Sequence, residues 1–108
     1  MEIDPTSLNS WLNDSTRKNP VLIDCREVEE HAICKIENSE LIPLNELAAS
    51  IENTDYNSND DIVVYCHHGI RSLHAVQYMR AKGFNKALSL SGGIERWASE
   101  IDQTIPRY

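Results

Sequence analysis

The chain is short of basic charge, of long apolar runs and of paired cysteines, and each shortage excludes a class of protein. Lys and Arg number 10 against 17 Asp and Glu, a formal net charge of −7 with neutral His. Nucleic acid is a poor partner for such a surface, because phosphate binding draws its affinity from clustered Lys and Arg. The longest strongly apolar run is Ile62-Val63-Val64-Tyr65-Cys66, far below the roughly 20 residues a membrane span needs. Met1-Glu2-Ile3-Asp4-Pro5 offers neither the basic nor the apolar stretch of a secretory leader. The expectation is a soluble, cytoplasmic protein with neither nucleic acid nor membrane as a partner. Three cysteines, Cys25, Cys34 and Cys66, with no Cys-x-x-Cys, do not make a secreted disulfide framework and leave at least one thiol free.

No repeat or low-complexity tract is present, and 108 residues suit one domain, expected to be 1–108. A chain of this size buries only about 60 to 65% of its unfolded surface, enough for one compact core. Val21-Leu22-Ile23 and Ile62-Val63-Val64-Tyr65 are continuous rather than alternating apolar runs, as in strands covered on both faces. Glu40-Leu41-Ile42 and Ala87-Leu88-Ser89-Leu90 are weaker strand candidates. Helical patterns lie between them: from Thr6 or Ser7 through Leu8, Trp11 and Leu12; Glu27 to His31; Leu44 to Ile51; Ser72 to Lys82, stopped by Gly83; and Ile94 to Ile101, capped by Ser91. The polar stretch from Asn53 to Asp61 is a loop. Strands alternating with helices predict an α/β fold with a central, mostly parallel sheet, and such folds gather function beyond the carboxyl ends of their strands.

Two strands end in chemistry there, Asp24-Cys25-Arg26-Glu27 and Cys66-His67-His68-Gly69-Ile70-Arg71-Ser72. In the second, a strand passes through a tight loop into a helix whose apolar positions Leu73, Val76 and Met79 recur at helical spacing. That is an anion-binding layout. The amides from His67 through Ser72 can turn inward as a nest, with the positive end of the helix behind them. Gly69 supplies the backbone freedom the curl needs, and Arg71 adds a cation. A thiol at the centre of such donors is shifted toward thiolate, the form that attacks electrophiles, and the same donors stabilise negative charge on a bound oxyanion or on a sulfur left on Cys66.

These residues resemble the rhodanese-like sulfurtransferases, in their single-domain form. Leu22-Ile23-Asp24-Cys25-Arg26-Glu27 is similar to the strand ending in the family's Asp-x-Arg-Glu signature. Lys35-Ile36 and Leu41-Ile42-Pro43-Leu44 fall where its His-Ile and Ile-Pro segments lie. Tyr65 to Ser72 matches its active loop, and Leu90-Ser91-Gly92-Gly93-Ile94-Glu95-Arg96-Trp97 its Gly-Gly-x-x-x-Trp segment. The resemblance implies a three-layer α/β/α fold around a five-stranded, mostly parallel sheet. It implies that Cys66 takes a sulfane sulfur from thiosulfate or a protein persulfide, becoming a persulfide itself, and passes it to cyanide or a thiol. By the same match Asp24 and Arg26 form a polar shell beside the loop, which Arg71 closes. No cofactor and no metal are expected.

The chain departs from the family at Cys34-Lys35-Ile36-Glu37-Asn38-Ser39, where Gly-His-Ile-Pro-Gly-Ala is common, so that turn is built differently. His67 stands where strong thiosulfate users often carry Arg or Lys, which predicts weak thiosulfate binding, since His67 and His68 are mostly neutral near pH 7. Cys25 and Cys34 read as structural thiols, either of which could instead pair with Cys66, and His74 as an exposed helical residue. Asp24 and Arg26 could be a plain ion pair, and Gly92-Gly93 a simple turn. Two other functions use the same parts. Cysteine-dependent phosphatases and arsenate reductases usually place five residues between Cys and Arg, against four here, and non-catalytic modules of this fold often lack the nucleophile.

Overall fold

The computed structural model describes residues 1–108. Its elements, in chain order, are β1 (Glu2–Ile3), α1 (Pro5–Leu12), β2 (Val21–Asp24), α2 (Val28–Ile33), β3 (Glu40–Leu41), a short 3-10 turn (Leu44–Glu46) running into α3 (Leu47–Glu52), β4 (Ile62–Tyr65), α4 (Ile70–Ala81), β5 (Ala87–Leu90) and α5 (Gly93–Glu100). The five strands form one sheet in the order β1-β5-β4-β2-β3, and every neighbouring pair is parallel. The expected α/β/α architecture is therefore observed.

The continuous apolar strands are covered on both faces, as their composition requires. On one face Ile23, Ile62, Val64 and Ala87 pack with Leu47 of α3 and with Ala75, Val76 and Met79 of α4. On the other, Leu22, Val63, Tyr65 and Leu90 pack with Leu8 and Trp11 of α1 and Ile94 and Trp97 of α5. Helix α2 buries none of its residues and contributes to neither apolar cluster; its His31 meets Asp24 at the carboxyl end of β2. No helix is long and apolar enough to cross a membrane.

Local chemistry moves several boundaries. Helix α1 begins at Pro5 rather than at Thr6 or Ser7, because Asp4 caps it, accepting the Ser7 amide at 2.7 Å. Helix α4 begins at Ile70, two residues before Ser72. Its buried stripe is Ser72, Ala75, Val76 and Met79, with Leu73 only half-buried. Helix α5 is entered through Gly92, not capped by the Ser91 side chain. The departing turn at 34–39 is built on Tyr65, whose hydroxyl accepts the Ile36 amide at 3.0 Å and lies 2.8 Å from Ser39 Oγ. Asn38 takes the left-handed conformation there, with φ of 68°.

Candidate active site

The register of β2 on β4 builds the site. Ile23 pairs with Val64 and Asp24 with Tyr65, and the Cys25 amide donates to the Tyr65 carbonyl at 3.0 Å. One step further along both strands, Cys25 and Cys66 become neighbours. Successive side chains alternate between faces, so both thiols fall on the α4 side, in one apolar cluster with Ile23 and Val64. Each is 1% exposed.

Beyond Cys66 the chain curls around the sulfur. The Gly69 amide donates to Cys66 Sγ at 3.1 Å and the Ser72 amide at 3.4 Å. The curl requires a left-handed residue, and Gly69 takes φ of 101°, with a hypothetical Cβ 3.2 Å from the Gly92 amide nitrogen. Helix α5 holds the curl from behind: the Ile94 amide donates to the Cys66 carbonyl at 2.9 Å and the Glu95 amide to the His67 carbonyl at 3.1 Å. This close approach explains Gly93, where a Cβ would fall 2.3 Å from the His67 oxygen. Gly92-Gly93 is thus more than a simple turn, since it lets a helix terminus bind the carbonyls of the sulfur-bearing loop.

The donors act on the thiol as their direction requires. Cys66 is lowered to about 4, first by the hydrogen bond from Cys25, then by the Ser72 hydroxyl and amide and the Gly69 amide, all against the opposing effect of burial. Cys25 is pushed upward by its hydrogen bond to Cys66, by burial and by the negative charges of Cys66 and Asp24. The proton of the pair therefore stays on Cys25, and Cys66 is the thiolate. Behind it Ser72 Oγ lies 3.5 Å from Sγ, 3.2 Å from the Gly69 carbonyl and 2.7 Å from Ser89 Oγ. The Ser89 hydroxyl can supply the proton of the Ser72–Ser89 contact, so that the one proton of Ser72 is divided between the Gly69 carbonyl and the Cys66 sulfur.

Asp24 and Arg26 form a fully buried ion pair. Arg26 Nε donates to Asp24 Oδ1 at 2.8 Å and Nη2 to Oδ2 at 2.7 Å, while Asp24 Oδ1 also accepts the Arg26 amide. Arg26 further donates to the Cys34 carbonyl at 2.6 Å and the Tyr108 hydroxyl at 2.8 Å, and His31 Nδ1 lies 2.8 Å from Asp24 Oδ2. Their contacts run to the 34–39 turn and to Tyr108, with none to Cys66. Cys34 lies on the other face from Cys66. All three cysteines are free thiols.

Arg71 does not stand alone at the rim. It makes a two-pronged contact with Glu30 of α2, Nη1 to Oε1 at 2.7 Å and Nη2 to Oε2 at 3.0 Å. His67 is stacked between His68 and Tyr108, with ring centroids 4.0 and 3.9 Å away. Its buried Nε2 makes no hydrogen bond, although Glu95 Oε2 lies 3.5 Å off. His68, Ile70 and His74 are exposed. Sequence reasoning did not find Glu30, Ser89 or Tyr108, and it left Cys25 as a structural thiol. The Asp24–Tyr65 strand ends, both followed by Cys, were the one available signal for the Cys25–Cys66 contact.

The rhodanese-like domain family matches residues 4–100. The chain is 33% identical over 97 residues to a sulfurtransferase of Allochromatium vinosum, covering 90% of this chain and 87% of that protein. It is 30% identical over 115 residues to the adenylyltransferase and sulfurtransferase UBA4 of Debaryomyces hansenii, covering 100% of this chain and 26% of that one. The chain spans about a quarter of the length of this and other adenylyltransferase and sulfurtransferase relatives. Among solved structures, the human single-domain sulfurtransferase TSTD1 superposes with a TM-score of 0.82 at 26% identity, over 92% of this chain and 96% of that one.

Proposed function

The chain belongs to the rhodanese-like domain family, and from that premise we propose that it is a sulfurtransferase whose Cys66 carries the sulfur as a persulfide. The supporting observation is the pair of amides, from Gly69 and Ser72, aimed at a sulfur held as thiolate. The thiolate attacks the outer sulfur of a donor, thiosulfate or a persulfide. A bond forms between Cys66 Sγ and that sulfur, and the donor's S–S bond breaks with its electron pair leaving on sulfite or a thiolate. The loop amides and the positive end of α4 then stabilise the charge on the terminal sulfur. In the second half-reaction cyanide or an acceptor thiolate attacks that sulfur, and the electron pair of the Sγ–S bond returns to Cys66 as thiolate.

The loop's size supports sulfur rather than phosphoryl transfer. Four residues separate Cys66 from Arg71, and only two amides reach Sγ, a cradle suited to one added atom. The transfer runs in the cytoplasm, between a small sulfur anion or a protein persulfide and a thiol or cyanide. The test is thiosulfate:cyanide and persulfide:thiol transfer assayed beside aryl phosphate hydrolysis, for the wild type and Cys66→Ser. Transfer that disappears in Cys66→Ser, with no phosphatase activity in either, is the expected result. Phosphate hydrolysis without sulfur transfer would overturn the proposal.

A further inference from the structure

Arg71 is the one Arg or Lys in the segment from Cys66 to Ser72, and its side chain is partly exposed beside the loop. Its charge is already matched. The planar guanidinium lies fork to fork on the Glu30 carboxylate, an arrangement that favours full pairing. Glu30 is fixed in turn from two other directions: Oε1 accepts the Glu27 amide at 3.0 Å, closing the capping box of α2, and Oε2 accepts the Tyr108 hydroxyl at 2.8 Å. These contacts keep it ionised, lowered to about 2 first by Arg71, against burial, and then by the Glu27 amide and the Tyr108 hydroxyl.

The neighbouring cations are matched as well. Arg26 lies on Asp24, and Arg107 lies on Glu95, the carboxylate that faces His67. With Cys66 itself a thiolate, the mouth of the loop carries more negative than positive charge. A free dianion such as thiosulfate therefore meets net repulsion in a partly desolvated setting, where charges act strongly.

We propose that Glu30 is the specificity-determining residue of this site: it masks Arg71, so that the loop discriminates against free sulfur dianions and exchanges sulfur with organic persulfides. An organic persulfide brings one negative charge fewer than thiosulfate, and its carrier can be recognised outside the loop. This inference rests on the sulfur-transfer reading above for its chemistry, but the masking itself is a statement about anion binding. A plain capping role for Glu30 is separable from it, because Gln serves a capping box as well as Glu does.

Inorganic sulfate, an unreactive dianion, is the probe. The measurement is the sulfate concentration that halves the rate at which iodoacetamide alkylates Cys66, for the wild type, Glu30→Gln and Glu30→Asp. Glu30→Gln is expected to lower that concentration about tenfold, equivalent to about 1.4 kcal/mol, and the gain shrinks as sodium chloride is raised. Glu30→Asp, which keeps the charge, stays within about twofold of the wild type. The KM for thiosulfate falls in Glu30→Gln in parallel. Equal half-protecting concentrations in all three proteins, or equal changes in Gln and Asp variants, would overturn the masking role. Mass spectra of the same proteins after thiosulfate report the transfer chemistry separately: a Cys66 that gains no sulfur in any of them sinks that chemistry, whatever sulfate shows.

Discussion

Cys25 lies beside Cys66, one residue past the paired ends Asp24 and Tyr65 of two parallel strands, and the two thiols share one buried apolar cluster in which the neutral Cys25 favours the thiolate of Cys66. One thiol keeps its proton so that the other can lose its own. The arrangement follows from register: Cys25 and Cys66 each stand one residue past the paired ends of β2 and β4, with their side chains on the α4 face.

Removing the Cys25 thiol should raise the pH at which Cys66 becomes reactive. Alkylation by iodoacetamide, followed against pH, is expected to turn on near about 4 in the wild type. In Cys25→Ala the onset moves upward, toward the ordinary thiol range, so the rate below neutral pH drops several-fold. Cys25→Ser, which retains a donor, stays close to the wild type. An unchanged onset in Cys25→Ala would show that the loop amides alone hold the thiolate.

Gly93→Ala tests the brace behind the loop. The new Cβ meets the His67 and Cys66 carbonyls at 2.3 and 2.5 Å, at a residue with φ of 62°. The expected loss is at least about 2 kcal/mol in urea unfolding, since strain and a displaced helix terminus add together. Cys66 alkylation in the folded protein slows as well, because the amides lose their aim. A variant of wild-type stability and reactivity would mean that α5 does not brace the loop.

The Asp24–Arg26 pair is expected to act on folding rather than on sulfur. Asp24→Asn leaves a buried guanidinium without its carboxylate, and breaking such a pair costs about 3 to 5 kcal/mol. Chemical denaturation reads that loss directly. The fraction that remains folded should keep the wild-type pH profile for Cys66. A shifted profile with little loss of stability would place the pair in the active site instead.

Tyr65→Phe removes the hydroxyl on which the 34–39 turn is built. It leaves the Ile36 amide without its acceptor, a buried donor worth about 1 to 3 kcal/mol when unsatisfied. Differential scanning calorimetry should show a lowered Tm, and an unaltered Tm would show that the turn stands without Tyr65.

Much of the scaffold was legible because burial writes itself into composition. Val21–Ile23 and Ile62–Tyr65 are apolar on both faces, and both are strands of a two-sided sheet. The Cys66–Ser72 loop was legible because Gly and a helix start at fixed spacing leave few other conformations. β1 was not: two residues, Glu2 and Ile3, carry no periodicity, and their pairing with Ser89 and Leu90 is a tertiary fact. Glu30 was hidden for a related reason. Helix α2 buries nothing, so its pattern points nowhere, and the contact with Arg71 spans 41 residues of sequence. Tyr108 reaches Glu30 across 78. The cap of α5 was misread because Ser91 is a good cap by type, whereas the close approach of the loop carbonyls demands two glycines.

In the proposed reaction Cys66, and no other residue, holds a transferable sulfur atom. Intact and peptide mass spectrometry of the protein after incubation with thiosulfate or an organic persulfide tests it most directly. A gain of about 32 Da on the Cys66 peptide, removed by a reductant or by an acceptor thiol and absent in Cys66→Ser, is the expected result. The added mass on Cys25 or Cys34, with Cys66 unmodified, would contradict it.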